Sequence, residues 1–277
     1  MTDIAPDDQW VLCATCAVEH QEPLPQTCRI CADDRQWVPA NGQVWTTLGA
    51  LRSAGQRLRW TDREPDRAAV TTDPGVGIGQ TMQVVRTTAG TVLWDPAGFI
   101  DDDTVTRIKA WGPVRAIASS HPHMFGVQVA WARALDAPVL VADSDRDWVA
   151  RADPAIEYWS GTVSLGDIEL HQVGGHFPGS AVALWPAGAG GRGVLLTGDT
   201  VFPNPDGWSL GFMRSYPNKI PLSAGTVRRV ADALDRLSFD TIVGNFDNMI
   251  ASGGKDSLRR SAARHIGWVS GDFDHLT

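Results

Sequence analysis

The 277-residue chain has no cysteine after Cys31, only three lysines (Lys109, Lys219 and Lys255) and only two tyrosines. It also lacks an unbroken apolar run of about 18 residues, so no transmembrane helix is expected. The opening MTDIAPDDQW is acidic, without the basic start and apolar stretch of a secretory signal, which predicts a cytoplasmic protein. Positive charge is scarce: 24 Lys and Arg face 32 Asp and Glu, a net charge of −8. A general nucleic-acid binder needs a basic face, so no nucleic-acid partner is expected, and no membrane partner either. No GxSxG elbow is present, and Ser180 in HFPGS reads as a turn residue. What remains is a globular composition, 43% hydrophobic and 20% charged. The length suits one large domain with a small appendage. The twelve tryptophans fall beside expected strands and helices and read as core filling.

All four cysteines lie early, as CATC (Cys13, Cys16) and CRIC (Cys28, Cys31) around an eleven-residue spacer. Thiolates three positions apart on a tight turn can face one ion, and two such turns make a tetrathiolate cage. The segment has too few apolar residues for its own core, so metal or cross-links must hold it. Structural zinc is the leading reading, with iron and a redox or disulfide pair as alternatives; the expected compartment disfavours disulfides. The segment resembles a rubredoxin-like or zinc-ribbon pair of knuckles. It differs in placing Ala17 and Ala32 after each second cysteine, where glycine eases the turn.

The expected organisation is a four-cysteine, zinc-ribbon-like module over 1–40, a helix and linker over 41–67, and a main domain over 68–277. Val44, Leu48, Leu51 and Leu58 recur at helical spacing. Beyond them TMQVVRTT and GTVLWDP predict an antiparallel pair, and TVSLG with DIELHQVGG a second hairpin. VRAIASS, APVLVA, SAVALWP, GVLLTGD and FDTIVGNF read as strands. VTRIKAWG, VQVAWARAL, AGTVRRVADALDRL and KDSLRRSAARHIGWV read as helices. Two groups of strands, each followed by helices, predict an α/β sandwich. The glycines of GVGIG (Gly75, Gly77, Gly79) precede a strand and open no helix, so they do not form a dinucleotide loop.

Three loops carry the chemistry, each after an expected strand. In SSHPHMFG, Pro122 stiffens a turn that lets His121 and His123 approach one ion. In GGHFPGS, His176 sits at a strand tip between glycines. LLTGDT is an apolar strand ending in Asp199. Singly, each is an ordinary turn. Together and in this order they resemble the metallo-β-lactamase fold superfamily, over about residues 75–250, including an opening hairpin that ends at Asp95. The resemblance implies an αββα sandwich behind the cysteine module. It matches His121, His123 and His176 to the imidazoles of the family's first metal site and Asp199 to its carboxylate. Phe125 and Gly126 stand where the family's loop has Asp and His, and Asn245 or a neighbour stands where its final His falls. A dinuclear centre of the usual kind is therefore not expected.

Three imidazoles and one carboxylate suit a single zinc, with Asp199 as fourth ligand or held just off the metal to orient or deprotonate its water. Iron or manganese remains open at this site. The expected function is a metal-dependent hydrolase of a small-molecule ester, thioester, lactone or phosphodiester. The alternatives are a non-catalytic metal- or partner-binding protein with a relic site, and an iron redox protein. Tyr216 and Asn218 lie where family members build a substrate wall, although an ordered turn is the simpler account. His171 is expected to be solvated beside Glu169, and His20, His265 and His275 to lie on the surface.

Overall fold

The computed structural model describes residues 8–277; residues 1–7, which carry most of the acidic start read above, lie outside them. The N-terminal part contains β1 (Val11–Cys13), α1 (Arg29–Ala32), β2 (Trp45–Thr47) and α2 (Leu48–Ser53), with β1 and β2 paired antiparallel. A seven-stranded sheet follows, in the order β3 (Arg57–Glu64), β4 (Arg67–Asp73), β5 (Met82–Thr87), β6 (Gly90–Trp94), β7 (Val114–Ala118), β8 (Val139–Ala142) and β9 (Ile156–Trp159). The pairs from β3 to β6 are antiparallel and those from β6 to β9 parallel. Helices α3 (Asp102–Ala110) and α4 (Gln128–Leu135) are the crossovers of the parallel half.

The second sheet runs β10 (Thr162–Ser164), β11 (Glu169–Gln172), β12 (Ala181–Trp185), β13 (Val194–Leu196), β18 (Thr241–Val243) and β19 (Met249–Ile250). The single turn α5 (Gly188–Gly191) joins β12 to β13. Two short ribbons lie between β13 and β18: β14 (Phe202–Pro203) with β15 (Leu210–Gly211), and β16 (Met213–Ser215) with β17 (Ile220–Pro221). Helices α6 (Ala224–Asp235) and α7 (Gly254–Val269) follow on either side of the β18–β19 pair.

Alternation along the strands sorts the core into layers, because successive side chains leave a strand on opposite faces. In β6, Val92 and Trp94 join the cluster between the sheets, while Leu93 joins the cluster beneath α3 and α4. In β12, Ala181, Ala183 and Trp185 face the first sheet, while Val182 and Leu184 pack with Val227, Val230 and Leu258 of α6 and α7. Strands covered on both faces read as unbroken apolar runs, which is why SAVALWP and GVLLTGD stand out. The result is the expected αββα sandwich. The expected pairing of β5 with β6 and of β10 with β11 is present.

Residues 41–67 differ from the expected helix and linker. They supply β2, the six-residue α2 and the edge strand β3. The helix ends before Gly55, whose φ is +89°, and beyond it Leu58 and Trp60 alternate with exposed Arg57 and Arg59. The period is two, not 3.6.

The cysteine segment shares its core with the sheet. Cys13, Cys16, Cys28 and Cys31 sit in one buried cluster with Met82, Leu93, Val129 and Trp131. The first knuckle is keyed in by its tip. Ala17 takes the left-handed backbone that glycine usually fills, at φ 61°, a strain of about 1–2 kcal/mol for a residue with a Cβ. Its methyl group fits a notch between Gly77 and Gly98, where an added Cβ would stand 2.5 Å and 2.3 Å from the Ala17 Cβ. GVGIG therefore has a packing role, as the socket for a knuckle.

Candidate metal centres

The four cysteines are free thiols, and Cys13 Sγ lies 3.7 Å from Cys31 Sγ and Cys16 Sγ 3.8 Å from Cys28 Sγ. Sulfurs at about 2.3 Å from a tetrahedral ion stand about 3.8 Å apart. All four sulfurs lie within 4.8 Å of one another, so the cage has the dimensions of a metal site and not of two disulfides. His20, expected on the surface, is buried, with Nε2 3.4 Å from Cys28 Sγ and its ring edge-on to Trp45. The spacer folds back over the cage, and Arg151 donates to the His20 carbonyl.

The second cluster gathers His121, His123, His176 and Asp199. His121 and His123 lie on the turn after β7, where Pro122 opens a single 3₁₀ turn. His176 is carried by the loop after β11, and Asp199 by the turn after β13. Asp199 Oδ2 stands 3.4 Å from His121 Nε2, 3.6 Å from His176 Nε2 and 3.9 Å from His123 Nδ1. His176 Nε2 and His123 Nδ1 are 3.4 Å apart. Donors held at about 2.0–2.1 Å by a tetrahedral ion are separated by about 3.3–3.4 Å. The His121 Nε2 atom is buried without a hydrogen-bond partner, as a lone pair reserved for a cation would be. The residues fit a single ion.

Neighbouring groups fix the rings. His176 Nδ1 donates to the Met213 carbonyl at 3.0 Å, leaving Nε2 unprotonated. His121 Nδ1 lies 2.9 Å from Ser120 Oγ, which donates to Asp95 Oδ2 at 3.1 Å, while Ser120 N donates to Asp95 Oδ1 at 2.6 Å. Such a chain selects the tautomer with Nε2 free. Gly198 makes room for it, since a Cβ there would lie 2.3 Å from Ser120 Oγ.

Burial dominates the electrostatics. It lowers His123 to about 4 and raises Asp95 to about 7. It also pushes Asp199 upward, but His121 and His123 outweigh it and hold that carboxyl well below the usual range. Neutral imidazole and ionised carboxylate are the ligating forms.

The departures from the family's loop have structural occupants. Phe125 is buried, and at Gly126 an added Cβ would lie 2.3 Å from the Pro96 carbonyl oxygen. Asn245 is buried and donates from Nδ2 to Asp199 Oδ1 at 2.9 Å, with Met124 Sδ 3.4 Å away. Among the described residues, no other group of three or more His, Cys, Asp or Glu side chains comes close enough to hold an ion. Tyr216 Oη donates to the Asp199 carbonyl, and Asn218 Nδ2 donates to the carbonyl of Asp34; both fasten the site's surroundings. His171 lies beside Glu169 but is half-buried against it, not solvated; His265, expected on the surface, is half-buried against the Leu222 carbonyl; His275 is exposed as expected.

Sequence reasoning did not find Arg35. Its Nε donates to the His176 carbonyl at 2.7 Å, and its guanidinium lies 4.0 Å from the Phe177 ring centre. Nothing local in CADDRQW signals a contact with a loop so far along the chain. Ser120 was visible as the neighbour of His121, but its bond to Asp95 depends on β6 and β7 lying side by side.

Sheets and site together define a metallo-β-lactamase fold. The chain superposes on the DIM-1 metallo-β-lactamase with a TM-score of 0.55 at 17% identity, covering 75% of this chain and 98% of that one. The FIM-1 enzyme of Pseudomonas aeruginosa in its mono-zinc form gives 0.55 at 16%, covering 75% and 95%. The metallo-β-lactamase of Pontibacter korlensis gives 0.53 at 18%, covering 73% and 99%. In sequence, the chain is 36% identical over 271 residues to the uncharacterized protein YmaE of Bacillus subtilis (strain 168), covering 96% of this chain and 99% of that one. It belongs to the family of YmaE. No protein-family profile matches it. No helix among the described residues is long and apolar enough to cross a membrane.

Proposed function

We propose that the protein is a metal-dependent hydrolase of a small-molecule ester, thioester, lactone or phosphodiester, working with one zinc at His121, His123, His176 and Asp199. A structural zinc at the cysteines completes the metal content. The observation that carries this reading is the convergence of four donor atoms on one point at the loop ends of both sheets, where catalytic groups of such folds gather. The single-ion reading is supported by Asn245, whose amide NH2 points at Asp199 Oδ1 and so puts a donor where a second cation would need a ligand. FIM-1 in its mono-zinc form offers a precedent on the same fold.

Zinc held by these residues would supply Lewis acidity for activating a water and polarising a substrate oxygen. The protein's part is orientation. Asp95 and Ser120 hold His121, the Met213 carbonyl holds His176, and Asn245 holds Asp199. Asp199, expected to orient or deprotonate water, has one oxygen committed to Asn245 and the other aimed at the imidazoles. We therefore assign it as a positioning residue beside the three imidazoles, which leaves room for a water at the ion, and not as base.

The full chain should carry about two zinc equivalents. His123→Ala should lose one of them together with turnover on a panel of ester, thioester and phosphodiester substrates. Turnover equal to wild type in that variant would overturn the assignment. One observation favours a second reading, a closed non-catalytic centre in which Asp199 is a fourth ligand that completes the tetrahedron: Asp199, the most accessible of the four, is only 8% exposed. Full zinc occupancy with no turnover on any substrate would establish it. Elemental analysis and an electron paramagnetic resonance spectrum of fresh protein separate both from an iron centre.

A further inference from the structure

Behind the His176 loop lies a cavity of about 430 Å³ whose charged lining is three arginines, Arg35, Arg214 and Arg229, with no carboxylate among its walls. In a chain of net charge −8, that concentration of one sign needs a reason. Arg229 donates to the Val173 carbonyl at 2.7 Å and forms no ion pair among the described residues. Arg214 reaches Asp34 only at 3.4 Å and keeps 40% of its side chain exposed. Arg35 is already paired with Asp33 and the His176 carbonyl. Two guanidinium groups thus have donors to spare. Thr226, in the first turn of α6, completes this wall, with its N–H already bonded to the N-cap Ser223 Oγ, so the arginines alone supply the charge. Gln172, Gly174 and Gly175 form the opposite side.

Two guanidinium forks suit a multiply charged tetrahedral oxyanion better than a lone carboxylate. We propose that this cavity binds the phosphate group of a small molecule, with Arg229 and Arg214 as its main contacts. The cavity is separate from the metal ligands' side chains but shares a wall with them. Gly175 and Phe177 flank His176 in sequence, and Arg35 lies in the cavity wall while holding the His176 carbonyl. Phosphate binding here does not depend on hydrolase activity at the imidazole site.

The test is calorimetric titration of the zinc-loaded full chain with inorganic phosphate at constant ionic strength. Saturable binding is expected, weakened at least tenfold in both Arg229→Gln and Arg214→Gln while their zinc content stays at the wild-type level. Sulfate should compete and acetate should not. His123→Ala, which dismantles the imidazole site, should bind phosphate as wild type does. Binding unchanged in both arginine variants, binding abolished in His123→Ala, equal competition by acetate, or no binding at all would each overturn the proposal.

Discussion

The two four-donor clusters are of similar size and burial, but they are assembled in opposite ways. The thiolates come from one stretch, Cys13 to Cys31, two knuckles bent over a common point. The imidazoles and carboxylate come from three loops spread over residues 121–199 and from both sheets. The first cluster needs only a local turn and an ion. The second exists only once the sheets are packed and Asp95, Ser120, Met213 and Asn245 are in place. A local site of this kind contributes to folding, whereas a distributed one depends on it.

Substitutions can set the two apart. Cys16→Ser should cause the largest stability loss, lowering the thermal midpoint by on the order of 10 °C, because metal affinity at such cages is folding free energy. Differential scanning calorimetry with zinc analysis checks it; a midpoint unchanged while one zinc is lost would remove the structural role. His123→Ala should shift the midpoint far less but lower any zinc-dependent turnover by at least about 100-fold. Equal destabilisation by the two substitutions would erase the distinction between a local and a distributed site. Asn245→Ala frees Asp199 Oδ1, and the zinc affinity of the imidazole site should fall by about 10–100-fold with the cysteine zinc retained. Competition with a chromogenic chelator reads both affinities.

Glu19 tests the seam between the regions. It accepts from Val129 N at 2.6 Å and from Trp10 Nε1 at 2.7 Å, and burial raises it from 4.5 to about 7. A carboxyl raised on folding contributes stability that is complete below its unfolded pKa and is lost as pH climbs through the folded value. The wild type should therefore lose stability from this group by about 2 kcal/mol between pH 5.5 and 8. Glu19→Gln, which cannot ionise, should be free of that loss, so urea midpoints of the two proteins should diverge in the variant's favour over this range. Parallel curves would place the ionisation of Glu19 elsewhere.

Much of this was legible in the residues. Runs such as VALW and VLL announce strands buried on both faces, and HPH, GGH and GD each sit at the end of one. The cysteine spacing points directly to the cage. What escaped depends on pairings that no local pattern encodes. Arg35 meets His176 across 141 positions, and Asn245 finds Asp199 only because β18 lies beside β13. Residues 41–67 mislead because Leu48 and Leu51 carry a true helical period that changes to a strand period within a few residues of Gly55. His20 reads as exposed because a proline-rich spacer looks solvent-facing, whereas it covers the cysteine cage.

The fit of Ala17 between Gly77 and Gly98 also sets an order of events. During synthesis the thiolates leave the ribosome before either glycine has been made, so they can close on an ion while their socket does not yet exist. Docking must wait for the loops that flank β5 and β6. The methyl group of Ala17 can therefore seat only once the loops carrying Gly77 and Gly98 stand on either side of it.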